Sequence, residues 1–180
     1  MLPPTRDLAS ALARAESLIA VTPDYPEPGI LFRDIAPLLA DGAALRAVTD
    51  ALLAPFAGGF DVVAGVEARG FLLAGAAAVA AGVGLVPIRK AGKLPRPAAS
   101  ADYALEYGTA TIEMNDDIRP GTRVLLLDDV LATGGTFLAA HALVARVGGV
   151  VAGAAALLEL DGLGGRAALG DARLHTVFHG

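Results

Sequence analysis

The sequence predicts an α/β domain built on a central, mainly parallel sheet flanked by helices. Two observations carry this. Apolar runs of strand length, at 62–66, 84–89, 124–127 and 150–158, alternate with stretches of helical length. Unusual chemistry comes directly after three of those runs: Glu67-Ala68-Arg69-Gly70, Arg89-Lys90-Ala91-Gly92-Lys93 and Asp128-Asp129. In such sheets the ligand sits outside the carboxyl ends of the strands. The length of 180 residues fits one domain over 1–180, with no internal repeat and no linker.

Element by element, Leu8, Leu12, Ala15, Leu18 and Ile19 share one face of a helix over about 7–20. Residues 22–29, with three prolines and a glycine, read as an irregular connector, neither helix nor strand. Asp41 is an N-cap candidate for a helix over about 43–56. VVAGV at 62–66 is a strand. Residues 70–88 are uncharged and long enough to suggest a membrane span, but they are mostly Ala and Gly. Gly82, Gly84 and Pro87 instead divide them into a helix over 70–82 and a strand over 84–89. Residues 91–102 hold no core pattern, and TATIEM at 109–114 alternates like an edge strand. The strand at 124–127 leads to a helix over about 135–147, ended by Gly148-Gly149. A strand at 150–158 and a short tail strand at 174–178 close the chain.

Composition excludes several classes. The net charge of −5 offers no general basic surface for nucleic acid. The absence of cysteine excludes disulfides and thiolate chemistry and fits a reducing compartment. The N-terminus lacks the basic-then-apolar order of a secretory signal. Mean hydropathy is high at +0.57, with much of it alanine and valine, as in a tightly packed soluble domain.

The stretch VLLLDDVLATGGT at 124–136 raises the functional question: two carboxylates close a buried strand, and a glycine turn comes next. A Walker B strand needs a partner loop G-x-x-x-x-G-K-[ST], which is absent, because Gly92-Lys93 is followed by Leu94. A Rossmann G-x-G-x-x-G is absent too. A plain helix cap on a loop remains open. The residues after the carboxylates favour a ligand site. Thr133-Gly134-Gly135-Thr136 runs into a helix, so inward-turned backbone N–H groups, two hydroxyls and the positive end of the helix suit a phosphate monoester. Adjacent carboxylates suit vicinal hydroxyls, which donate to them. Together these describe a ribose 5-phosphate site.

This stretch resembles the phosphoribosyl pyrophosphate (PRPP) signature of the type I phosphoribosyltransferases. The motifs PGILFRDIAPLL at 28–39, GVEARGF at 65–71, IRKAGKLP at 88–95, YALEYG at 103–108 and LLEL at 157–160 are similar to those of the adenine-specific branch. The resemblance covers roughly 20–160 in the same order. It implies a type I phosphoribosyltransferase-like fold with a small base-binding hood and a flexible loop. The reaction it implies is transfer of the 5-phosphoribosyl group from PRPP to adenine, giving AMP and pyrophosphate in purine salvage.

The resemblance also implies residue roles. Asp128 and Asp129 would orient the ribose, and Ala132, Thr133, Gly134, Gly135 and Thr136 would hold the 5-phosphate. Glu67, Ala68, Arg69, Arg89, Lys90, Lys93 and Tyr107 would serve the pyrophosphate, with a cis peptide at Glu67–Ala68 and Arg89 able to reach a neighbouring subunit's site. The only two lysines of the chain, Lys90 and Lys93, fall in this motif; a solvated surface cluster is the alternative. Phe32 would stack on adenine, the backbone of Leu31 and Arg33 would read its edge, and Leu160 would pack on its other face; without the resemblance Phe32 reads as core. Glu106 would handle a proton on adenine N7, where residue type alone gives a solvated glutamate. Asp102 and Arg96-Pro97 depart from the family pattern within the loop.

Mg²⁺, held mainly through PRPP with no ligand directly from the protein, a homodimer and a cytoplasmic location complete the expectation, with no nucleic-acid or membrane partner. A phosphoribosyltransferase for xanthine, guanine or orotate, or a non-catalytic PRPP sensor, are the competing readings. The base motifs argue against the first. Acidity and short length argue against the second.

Overall fold

The structure, a computed structural model, describes residues 5–25, 27–104 and 109–180. It forms two compact units, Met1–Ala51 and Leu52–Gly180.

The first unit opens with helix α1 (Thr5–Ser17). The helix stops three residues short of the expected end because its last turn tightens: Leu18 N–H donates to Ala15 O and Ile19 N–H to Glu16 O. Strands β1 (Ala20–Pro23) and β2 (Leu31–Asp34) then pair antiparallel, with Thr22 opposite Phe32. The connector is therefore shorter than its prolines suggest. Pro23 ends a two-stranded ribbon, where a missing donor is tolerated. The turn is closed by Gly29 N–H donating to Asp24 Oδ1 at 2.7 Å. After the short helix α2 (Ala36–Ala40), Asp41 caps α3 (Gly42–Leu53) as expected, accepting from the amides of Ala43 and Ala44 at 3.1 and 2.9 Å.

The second unit holds a seven-stranded sheet in the order β5-β6-β4-β3-β7-β8-β9. Its strands are β3 (Val62–Val66), β4 (Gly84–Lys90), β5 (Ala99–Ala104), β6 (Thr109–Met114), β7 (Arg123–Leu131), β8 (Val150–Glu159) and β9 (Leu174–His179). Strands β4, β3, β7, β8 and β9 run parallel, while β5 and β6 are antiparallel additions. Helices α4 (Arg69–Ala81), α5 (Gly135–Arg146) and α6 (Gly165–Leu169) complete the unit.

Residues 70–88 divide as expected, with left-handed Gly82 (φ +69°) ending α4 before β4. Two expectations fail. Residues 99–102, part of the 91–102 stretch assigned no core pattern, form β5 together with Tyr103 and Ala104, and β6 lies inside it rather than at the edge. Only Ala101 of β5 is fully buried among the apolar side chains described there, so the strand carries little hydrophobic signal and is held by its ladder to β6.

Even-numbered residues of β3 and β7 (Val62, Ala64, Val66, Val124, Leu126) share one core with Phe137, Ala140, Leu143 and Val144 of α5. Odd-numbered residues point to the other face by the pleat. There, Gly65 lets α4 approach so closely that a Cβ would lie 2.6 Å from Ala74 Cβ. Within the stretch that mimics a membrane span, Gly70, Leu73, Ala74, Ala77 and Ala78 of α4 are buried, whereas Ala80 and Ala81 are exposed. Among the described residues no helix is long and apolar enough to cross a membrane.

Candidate active site

Strand β7 is longer than the apolar run predicts, and the two carboxylates lie within it rather than after it. Its pairing with β3 ends at Leu127, opposite Gly65, whereas pairing with β8 continues through Asp128 and Val130 to Leu131. The carboxylate pair thus occupies an overhang at the carboxyl end of the sheet. The sheet changes direction at this point: from β3 the chain goes outward to β4, and β7 leads to β8 and β9 on the other side.

Both carboxylates are buried, Asp128 at 8% and Asp129 at 7% exposure. The Asp129 N–H donates to Asp128 Oδ1 at 2.8 Å, and Arg69 Nε donates to Asp129 Oδ2 at 2.5 Å. Burial, reinforced by the neighbouring Asp129 carboxylate, holds the Asp128 carboxyl well above its ordinary range. The pair is polarised: one carboxylate has a cation, and the other is crowded and desolvated.

The glycine turn comes at once. Gly134 adopts φ +85° and caps α5, with no side-chain cap bond. Leu138 N–H donates to Gly134 O at 3.0 Å, so the amides of Gly135, Thr136 and Phe137 precede the first intrahelical bond and open towards the loop. An N-terminal turn of this kind is an anion site. The turn is backed by α6: a Cβ on Gly134 would lie 2.8 Å from Gly165 O, and one on Gly165 only 2.2 Å from Ala132 O.

The EAR segment sits between β3 and α4. Its Glu67–Ala68 peptide is cis, as the family resemblance implies. Glu67 accepts from the Lys90 amide at 3.0 Å and from Arg89 Nε and Nη2 at 3.3 and 3.4 Å. The Lys90 N–H bond, with Arg89 adding to it, lowers the Glu67 carboxyl below its usual range. Arg89 Nη1 also donates to the Lys93 carbonyl at 3.3 Å. Glu67, Arg89, Lys90 and Lys93 are therefore one assembly, in which Glu67 organises the basic loop. Ala68 precedes α4, and Arg69 opens it.

Sequence reasoning missed two members. Glu113 Oε2 accepts from Gly92 N–H at 3.1 Å and pins the tip of the basic loop. Its signal was the alternation of β6, where Ile112 and Met114 are buried and Glu113 faces the other way. The second is Gly165 with its neighbour Arg166, for which the only trace was the Gly164-Gly165 doublet.

Among the base-binding candidates, Leu31, Phe32 and Arg33 all lie on β2. Phe32 is half-buried and meets Tyr25 edge-on, with ring centroids 5.1 Å apart; Leu31 is exposed. In the second unit Leu160 comes after β8, its N–H donating to Leu131 O at 2.9 Å. Glu106 and Tyr107 lie outside the described residues.

The phosphoribosyl transferase domain model matches residues 37–169. An adenine phosphoribosyltransferase of Renibacterium salmoninarum is 60% identical over 163 residues, which is 90% of each chain. The crystal structure of the adenine phosphoribosyltransferase of Rhodothermus marinus is 49% identical and superposes with a TM-score of 0.89 over 95% of this chain and 99% of that one. The Saccharomyces cerevisiae enzyme, complexed with an imino-altritol bisphosphate and adenine, is 36% identical with a TM-score of 0.87, over 94% and 99% of the two chains. A carboxylate pair at the sheet's switch point, a glycine turn beside it and this breadth of similarity converge, and the chain belongs to the adenine phosphoribosyltransferase family.

Proposed function

We propose that the chain transfers the 5-phosphoribosyl group of PRPP to adenine, forming AMP and pyrophosphate, and that residues 1–180 act as one phosphoribosyltransferase domain. The observation that carries this reading is the buried Asp128–Asp129 pair on the β7 overhang, succeeded within five residues by the left-handed Gly134 turn that opens α5.

Asp128 and Asp129 accept from the ribose hydroxyls, and their negative field favours the cationic character that builds on the ring as the anomeric bond breaks. The Ala132–Thr136 turn holds the 5-phosphate through backbone N–H groups and the hydroxyls of Thr133 and Thr136. Arg69, Arg89 and Lys93, with Lys90 nearby and the backbone at Glu67–Ala68, bind the departing pyrophosphate. Leu31, Phe32, Arg33 and Leu160 are assigned to adenine, Phe32 as a stacking plate. Glu106 carries the proton at adenine N7 while N9 attacks, and Tyr107 packs over the reacting atoms.

The donor set suits Mg²⁺. Asp128 and Asp129 are hard-oxygen groups, and no cluster of three or more metal-ligating side chains occurs among the described residues. A Mg²⁺ ion here would take most of its shell from PRPP and water, beside the Asp128 and Asp129 carboxylates. When bound it neutralises charge on the pyrophosphate. A homodimer and a cytoplasmic location belong to the same reading, supported by the family resemblance.

The test is product formation with purified protein. AMP is expected from PRPP and adenine but not IMP from PRPP and hypoxanthine. Equal use of both bases, or of neither, would overturn the assignment.

A further inference from the structure

Outside the residues assigned to substrate, one polar network is built with unusual care. Arg166, the second residue of α6, donates through Nε to Glu159 Oε1 at 3.1 Å and through Nη2 to Glu159 Oε2 at 2.5 Å. Nη2 also reaches Thr176 Oγ1 at 2.8 Å, and that hydroxyl lies 2.8 Å from Glu159 Oε2. Thr176 is a buried polar residue of β9. A fork-to-fork arginine–carboxylate pair that also engages a buried hydroxyl fixes orientation as well as proximity.

Its location gives it a purpose. Glu159 ends β8 and stands opposite Leu131, the last residue of β7 before the glycine turn. Arg166 directly succeeds Gly165, whose backbone carries the turn on both sides. Gly165 O would be 2.8 Å from a Cβ on Gly134, and a Cβ on Gly165 would be 2.2 Å from Ala132 O. α6 therefore packs on the backbone of 132–134 with no side chain between them. The salt bridge ties α6 to the two strands that flank it, and so sets the height of the floor beneath the turn.

We propose that Arg166, acting through Glu159 and Thr176, is a positioning residue for the 5-phosphate of the substrate. It touches no reacting atom. It holds α6 against β8 and β9 so that the amides of the Gly134 turn stand at the phosphate. The proposal rests on the assignment of residues 132–136 to the 5-phosphate.

AMP and adenosine differ by that phosphate alone, so their binding separates the two ideas. Calorimetric titration of the wild-type protein is expected to show a strong preference for AMP. In Arg166→Met the affinity for AMP falls about tenfold, the loss expected when one anchoring bond to a charged group goes, and adenosine affinity is unchanged. In steady state the KM for PRPP rises by about the same factor while kcat at saturating PRPP stays near wild type. Arg166→Lys, which keeps the charge without the fork, recovers part of the loss. If Arg166→Met does not fold, Glu159→Gln is read by the same criteria. Wild-type AMP affinity in the variant, or an equal loss for AMP and adenosine, would overturn the positioning role. A wild-type protein that does not distinguish AMP from adenosine would instead remove the phosphate assignment, and the proposal with it.

Discussion

Gly70 lies directly against Asp128: a Cβ on Gly70 would stand 2.9 Å from Asp128 Oδ1 and 3.0 Å from Leu127 O. The first turn of α4 is thus pressed onto the carboxylate overhang of β7, and Arg69, its neighbour in the chain, reaches Asp129. The segment assigned to pyrophosphate and the one assigned to ribose are held in register by the absence of a side chain.

Gly70→Ala is expected to disturb both. The new methyl meets backbone as well as a carboxylate, so neither rotamer change nor solvent relieves it. A cost of about 1–3 kcal/mol in stability is expected, together with a raised KM for PRPP. Thermal unfolding and steady-state kinetics check this; wild-type values in both would contradict the close approach.

Asp128→Asn should trade activity for stability. Burial raises the Asp128 carboxyl, so the folded protein binds its proton more tightly than the unfolded chain does. Stability from this group is therefore fullest below the ordinary carboxyl range and is lost as pH rises towards the folded value. A neutral amide keeps an oxygen for the Asp129 N–H and removes that loss. The variant should melt above wild type near neutral pH, while kcat/KM for PRPP drops on the order of tenfold because a diol loses an acceptor. A lower melting point with full activity would reverse the reading.

Glu67→Gln tests the organiser of the basic loop. The Glu67 carboxyl is lowered by the Lys90 amide and by Arg89, so its stabilising contribution is complete above the ordinary glutamate value of 4.5 and fades as pH falls through the lowered one. The melting-point gap between wild type and variant should close on acidification over that window. At neutral pH the variant should show a raised KM for PRPP with adenine binding unaffected. A gap independent of pH would exclude the carboxylate as the source.

Glu106→Gln tests the proposed proton carrier, which lies outside the described residues. A positioned acid or base contributes on the order of 10²–10⁴-fold, so turnover should fall in that range with substrate binding roughly intact. Single-turnover kinetics are the measurement, because product release can mask chemistry. Rates equal to wild type across pH would contradict the proton-carrier role.

The sequence by itself determined the alternation of strand and helix, the break at Gly82, the cap at Asp41 and the residue types at the sheet's carboxyl end. These are local properties: apolar period, backbone freedom of glycine, and the hydrogen-bonding inventory of adjacent side chains. The resemblance located the cis peptide at Glu67–Ala68 for the same reason, as it lies within one motif. Only the tertiary structure decided that β7 runs on through Asp128 and Asp129, because its continuation depends on a partner, β8, that starts about twenty residues later. It also decided that β5 covers β6, a pairing made by backbone bonds with almost no hydrophobic pattern. Likewise, the roles of Glu113 and of Gly165 with Arg166 exist only between elements distant in sequence. A single glutamate or glycine has no period to betray it, and its meaning is set by the backbone it is brought to face.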